Sequence, residues 1–355
     1  MRKIDISLLI SVIILTLFGL FMIYDASSFA AFRDFADKYH YIKSQFGWVI
    51  LGFVALGFFS VFDYHKLYNL AFPILSVALL LLILVFIPGI GVSLLGAHRW
   101  INVRFSLLQP AEFVKLALAI YLAAWFSNKE KGRLLAFLLL MGLVLGLVIL
   151  EPDMGTTIVI LSEAMLIYFL SGANVLYFSV LVPVMGFLGF VFIKFSPYRA
   201  QRLESFLNLG SSLQNSSYHV KQILIALGVG GLTGVGLGNS LQKYAYLPET
   251  ATDSIFAIIA EEMGFIGAVA LIIFYIFIIH RCFRIAVNAK DNFGKLLAGG
   301  IATFLALQAI INLAAQAALV PLTGIPLPFI SYGGSALLVD LAAIGILLNI
   351  SKQTV

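Results

Sequence analysis

Uninterrupted apolar runs constrain this chain more than any other feature. LSVALLLLILVFI from Leu75 and LLAFLLLMGLVLGLVIL from Leu134 carry no charge, and similar runs recur from Ile6 to near the C-terminus. Such runs close their own backbone hydrogen bonds as helices; strands of a membrane barrel alternate with period two, and these runs do not. Spanning the hydrocarbon takes roughly 20 residues of helix, which the runs supply. With 61% hydrophobic and 11% charged residues and a mean hydropathy of +1.04, the expected fold is an all-α integral membrane bundle.

The polar breaks predict ten spans, near 6–25, 45–62, 69–89, 108–126, 134–150, 156–170, 174–193, 253–279, 295–319 and 335–350. Arg2 and Lys3 precede the first run, which is longer than a signal-peptide core and lacks a clean cleavage site, so a retained signal-anchor is expected. A cytoplasmic N-terminus puts eleven Lys and Arg residues on the inner side, Lys66, Arg133, Arg281 and Lys352 among them. The short outer loops hold fewer, chiefly Arg33, Lys38, Lys43, Arg99 and Arg104. The positive-inside rule then places both termini in the cytoplasm. Residues 194–252 become one long extracytoplasmic loop between the seventh and eighth spans of a single domain. Its stretch YHVKQILIALGVGG has a helical apolar half; counting it as an eleventh span would export the basic HRCFRIAVNAK loop, so it is read as an outer-leaflet helix. The lone Cys282 forms no disulfide or metal pattern with the five scattered histidines, and a net charge of +5 in a chain of this kind suits anionic membrane lipids, with no reason to invoke nucleic acid.

Ionisable residues inside apolar runs are costly and mark either structural pairing or a functional cavity. Glu112 and Lys115 lie three apart after Pro110, on one helix face; they read equally as a neutralising pair and as a polar wall toward a substrate. Asp153 suits a helix cap, and Glu163 and Asp340 suit helix–helix hydrogen bonds. The densest polar cluster is KYAYLPETATDSIFAIIAEEMGF, residues 243–265. Thr252 or Asp253 can cap the helix that follows; an aspartate there, flanked by Glu249, is equally placed as a general base. Glu261 is expected to line the same cavity lower down and Glu262, on the opposite face, to be structural. PLTGIPLPFISYGGS, residues 321–335, must fold into protein or line a wet cavity, and Ser331, Tyr332, Gly333 and Gly334 are its candidate substrate-lining residues.

Five blocks in this order resemble the SEDS family of shape, elongation, division and sporulation proteins. They are GAHRWI at 96–101, QPAEFVKLALA at 109–119, EPDMGTT at 151–157, GLGNSLQKYAYLPETATDSIFAIIAEEMGF at 236–265 and PLTGIPLPFISYGGS at 321–335; the last is closer to the FtsW branch than to RodA. The resemblance implies a glycosyltransferase that polymerises lipid II into peptidoglycan strands. It implies an essential aspartate at Asp253, a paired Glu112 and Lys115, and an outer-side Arg99 and Trp100. TDSIF stands for the usual TDFIF, PETAT for PEAHT and YDAS at 24–27 for YSAS, which leaves open the local packing and the role of the missing histidine. With Asp253 as base toward the acceptor hydroxyl, the departing undecaprenyl pyrophosphate calls for cations: Arg199, Arg202, Lys221, Lys243, Arg99, Lys115, or a divalent Mg2+ or Mn2+. The resemblance further implies a class B penicillin-binding transpeptidase and other division or elongation proteins as partners. Two competing readings remain: a flippase for the same lipid-linked precursor, whose site would lie near the midplane, and a scaffold with no chemistry.

Overall fold

In the computed structural model the described residues are 4–94, 97–103, 107–128, 132–194, 203, 206, 218–244 and 246–353. Among them are eleven helices: α1 (Ile6–Phe35), α2 (His40–Val61), α3 (His65–Leu84), α4 (Pro110–Phe126), α5 (Leu134–Leu150), α6 (Met154–Leu170), α7 (Val175–Lys194), α8 (Tyr218–Gly230), α9 (Ile255–Asn288), α10 (Asn292–Gln316) and α11 (Gly334–Gln353). A three-stranded antiparallel sheet, β1 (Gly91–Leu94), β2 (Ala97–Asn102) and β3 (Leu107–Leu108), lies between α3 and α4. All ten expected spans correspond to helices, and six of these (α1, α2, α3, α9, α10, α11) are long and apolar enough on their own to cross a membrane. The chain is therefore a multi-pass membrane protein. α8 has 13 residues, about 20 Å of helix against a hydrocarbon core of about 30 Å, too short to span.

Two features differ from expectation for physical reasons. α1 runs to Phe35, well past the end of its apolar run, because membrane exit and helix termination are separate events; Ala36, left-handed at φ 56°, ends it. The loop before α4 is a hairpin with Val92 opposite Trp100 and Ser93 opposite His98, which seats Arg99 and Trp100 on a strand. In the long segment after α7, α8 is the helix expected in the apolar half of YHVKQILIALGVGG.

α10 and α11 are the most buried helices, and α11 packs along α2. At the periphery, α5 and α7 turn Leu135, Leu139, Leu143, Leu176, Val180 and Phe187 outward, as lipid-facing helices do. Ends of distant elements meet on one side of the bundle. The Asp5 amide donates to Ser351 Oγ at 3.2 Å and Arg281 Nη2 meets Asp5 Oδ2 at 2.7 Å, while the Tyr64 amide donates to Asn349 Oδ1 at 3.1 Å. Both chain ends thus lie with the α2–α3 turn at one face, and the polar segments before α4, α6, α9 and α11 lie at the other.

α9 is broken at Gly264 (φ 68°, ψ −171°) into a short first piece and a long second one. The break frees backbone groups that the segment after α8 takes up: the Val235 and Gly236 amides donate to the Glu261 and Glu262 carbonyls at 3.0 Å, and the Phe265 and Ile266 amides donate to the Gly231 and Leu232 carbonyls at 2.9 and 3.1 Å. The pairing satisfies groups that apolar surroundings would otherwise leave unpaired. It needs glycine, since a Cβ on Gly234 would stand 2.0 Å from the Glu262 carbonyl oxygen.

Candidate active site

The ATDSI segment turns into the short first piece of α9, and its backbone is fixed from three sides. Asn312 Nδ2 and Gln316 Nε2, one turn apart on α10, donate to the Asp253 carbonyl at 2.9 and 2.7 Å; Asn312 also donates to the Ile325 carbonyl at 2.8 Å. Ser331 Oγ donates to the Thr252 carbonyl at 2.5 Å and accepts the Leu327 amide at 2.8 Å, while the Tyr332 amide donates to the Ala251 carbonyl at 2.7 Å. His219 Nε2 on α8 lies 2.7 Å from Ser254 Oγ. Ser254 is the residue before the helix, so neither Thr252 nor Asp253 caps α9. Instead the Thr252 hydroxyl lies 2.8 Å from Glu249 Oε2 and 3.1 Å from Asp253 Oδ1, bridging two carboxylates. The Asp253 side chain is half-buried while its backbone is held rigidly, which suits a carboxylate that must accept a proton from a bound hydroxyl.

PLTGIPLPFISYGGS folds into the protein and is the hub of this face. Gln45 on α2 pairs with it through the Gly333 amide at 3.3 Å and the Ser331 carbonyl at 3.5 Å, Tyr41 packs edge-on against Tyr332, and the Tyr275 hydroxyl donates to the Pro328 carbonyl at 2.5 Å. Ser331 is 4% exposed with its hydroxyl committed to backbone, so its visible work is to position Thr252. Gly334 begins α11 against Trp48, where a Cβ would stand 2.1 Å from the indole nitrogen.

The hairpin and α4 join the same face. Arg99 Nε and Nη2 donate to the Glu151 and Pro152 carbonyls at 3.1 and 2.5 Å, tying the hairpin to the α5–α6 turn, and Trp100 beside it on β2 is half-buried. Asp153 caps α6 by accepting the Thr156 amide at 3.1 Å, as expected, and accepts Gln109 Nε2 at 3.0 Å. Burial, with the Asp153 charge adding to it and Arg99 opposing it, pushes the Glu151 carboxyl up to about 9.

Deeper in the bundle, Lys115 Nζ meets Glu112 Oε2 at 2.7 Å, with both side chains at most 2% exposed, and lies 5.8 Å from the Phe304 ring centre. Glu163 on α6 and Asp340 on α11, expected to serve isolated helix contacts, are buried, and the Glu163 carboxylate has no hydrogen-bond partner among the described residues.

Two expectations change. Lys243, a candidate cation for the pyrophosphate, is buried at 5% exposure, with Nζ 2.9 Å from both Asp25 oxygens and 2.8 Å from Glu262 Oε1. Glu261, expected to line the cavity, is 1% exposed, and its carboxylate accepts the Ser240 hydroxyl and, at 3.1 Å, the Leu241 amide. Arg199 and Arg202 lie outside the described residues, and Lys221 is exposed on α8. Sequence reading missed Asn312 and Gln316. Their signal was two amides four apart, and so on one helix face, in an otherwise apolar run. It also missed His219, whose imidazole meets Ser254, the residue after Asp253. Among the described residues no group of three or more His, Cys, Asp or Glu is arranged to hold a metal.

Residues 6–355 match the Cell cycle protein family of FtsW, RodA and SpoVE. The chain is 39% identical over 357 residues to the probable peptidoglycan glycosyltransferase FtsW of Trichlorobacter lovleyi, covering 98% of this chain and 93% of that protein. It is 38% identical over 357 residues to stage V sporulation protein E of Bacillus subtilis, covering 99% and 97%. Among solved structures, it superimposes on a chain of a peptidoglycan synthase complex that coordinates polymerization and crosslinking, with a TM-score of 0.82, 25% identity and coverage of 100% and 99%. It matches the rod shape determining protein RodA of Thermus thermophilus with a TM-score of 0.73, 26% identity and coverage of 98% and 97%. With the match running from the first span to the last residue, the chain belongs to the FtsW, RodA and SpoVE family of cell cycle proteins.

Proposed function

We propose that this protein is a peptidoglycan glycosyltransferase that polymerises lipid II into glycan strands and releases undecaprenyl pyrophosphate, with Asp253 as the general base. The observation that carries the reading is a half-buried Asp253 whose carbonyl is held by Asn312 and Gln316, with the preceding Thr252 carbonyl held by Ser331, at the polar end of the bundle. Asp253 takes the proton of the acceptor's GlcNAc 4-hydroxyl as that oxygen attacks the anomeric carbon of the donor MurNAc. The bond to pyrophosphate breaks, and a single displacement on an α-linked donor gives a β-linked product. Thr252 holds Asp253 and Glu249 in register through its hydroxyl.

A divalent cation, Mg2+ or Mn2+, would neutralise charge on the departing pyrophosphate. Glu249 and Asp253 are the protein carboxylates available to it, and two are enough only when phosphate oxygens and water complete the shell, the usual arrangement for Mg2+. In this reading the active face lies outside the cell and both termini in the cytoplasm, which the positive-inside asymmetry supports. A transpeptidase partner that crosslinks the strands follows from the likeness to the synthase complex chain.

The test is to incubate the purified protein, alone and with a cognate transpeptidase, with labelled lipid II and Mg2+ or Mn2+. Polymer on a gel supports the reading, and a chelator should then abolish it. Lipid II crossing liposome bilayers with no polymer under any condition would favour a flippase instead.

A further inference from the structure

Among the described residues from Gly231 to Ser254 there is neither helix nor strand, yet the segment must deliver Glu249, Thr252 and Asp253 to fixed positions. Residues 25 and 26 of α1 hold it at two points. Lys243 Nζ, with three N–H donors, meets three carboxylate oxygens: both of Asp25 at 2.9 Å and Oε1 of Glu262 at 2.8 Å. Seven residues further on, Thr250 Oγ1 donates to the Ala26 carbonyl at 3.1 Å. Between these anchors the Leu247 amide closes a turn onto the Gln242 carbonyl at 3.0 Å. Upstream, Glu262 Oε1 also accepts the Ser240 amide at 3.2 Å. Residues 243–250 are thus a strap drawn across α1, and the catalytic turn follows directly. Burial alone would lower the Lys243 pKa; the Glu262 and Asp25 carboxylates raise it by more, so the amine stays charged.

We infer that the Asp25–Lys243–Glu262 ion triad is the anchor that sets the position of Asp253, with Lys243 acting as a positioning residue and not as a substrate cation. The inference rests on the glycosyltransferase reading for its consequence and on the geometry of α1, α9 and the strap for its cause.

The test uses the full chain with lipid II, scoring kcat and KM per folded molecule, with hydrogen exchange read over residues 243–254. Lys243→Met should lower kcat at least ~10-fold with KM nearly unchanged and should speed exchange within that window. Lys243→Arg should recover most of the rate, because it restores the cation between the two acids. Asp25→Lys, which leaves Lys243 in place but sets a like charge against it, should lower kcat as well. Three results would overturn the inference: a raised KM at full kcat in Lys243→Met, unchanged kcat per folded molecule with only a lower melting point, or faster polymerisation by Asp25→Lys. Should Lys243→Met not fold, the Asp25→Lys protein decides, since exchange over residues 243–254 as slow as in the wild type contradicts the anchor. A wild type that makes no polymer removes the glycosyltransferase reading and leaves the exchange result to judge the anchor.

Discussion

Lys115 occupies a site where an ammonium without a counter-charge would not persist. Removing one partner of a buried ion pair costs about 3–5 kcal/mol, because the other is left charged or must take up a proton. Lys115→Met is therefore expected to destabilise the bundle by about that amount in detergent unfolding, and the double variant with Glu112→Gln by clearly less. Equal losses in the two would mean the pair is uncoupled. Glu151 gives a pH-dependent expectation of definite sign. Folded, it holds its proton up to about pH 9, whereas the unfolded chain releases it near the ordinary 4.5. Its contribution is fully present below pH 4.5 and is lost as pH rises toward 9, at no more than ~1.4 kcal/mol per unit. Melting measured from pH 5 to 9 should fall more steeply in the wild type than in Glu151→Gln; parallel curves would contradict the buried neutral acid. At this scale the sequence was read well for local chemistry and poorly for distant partners. Asp153 as a cap and Glu112 with Lys115 are three residues apart or fewer from what they touch, and helix geometry reveals them. The commitment of Lys243 to Asp25 was invisible, since the two lie 218 positions apart and both looked like free polar residues of an outer surface.

Helices were the most legible elements, because hydrocarbon leaves a long apolar run little other choice. What the apolar runs could not reveal was structure built from residues outside them: the hairpin carrying Arg99 and Trp100, the outer turns of α1, and the break in α9. That break depends on the exchange of backbone hydrogen bonds with the segment after α8. Gly234 sits at φ 82° with no room for a side chain, so Gly234→Ala is expected to combine left-handed strain of roughly 1–2 kcal/mol with a clash against the Glu262 carbonyl. A sharply reduced yield of folded protein should follow, and near-normal melting would show that the exchange is dispensable. Gly146→Ala on lipid-facing α5, where nothing stands within 4 Å, is the control and should be tolerated.

For the molecule as a whole, the fold gathers charged, chain-terminal and turn residues at one end and the polar blocks of the sequence at the other. Asp5, Arg281, Asn349 and Ser351 form the first set, while Arg99, Asp153, Asp253 and Ser331 belong to the second. Orientation is testable because Cys282 is the sole cysteine and is buried. In a Cys282→Ser background, an impermeant maleimide should label Tyr39→Cys on intact cells and Lys352→Cys only after permeabilisation; the reverse pattern would put the catalytic face in the cytoplasm. The account turns on Asp253. The most direct test is single-turnover polymerisation of lipid II by Asp253→Asn beside the wild type, with lipid II binding measured in parallel. The account predicts a loss of about 10²- to 10⁴-fold in rate with binding and folding retained. A variant that polymerises at the wild-type rate would contradict it, and the base would have to be sought elsewhere on the same face.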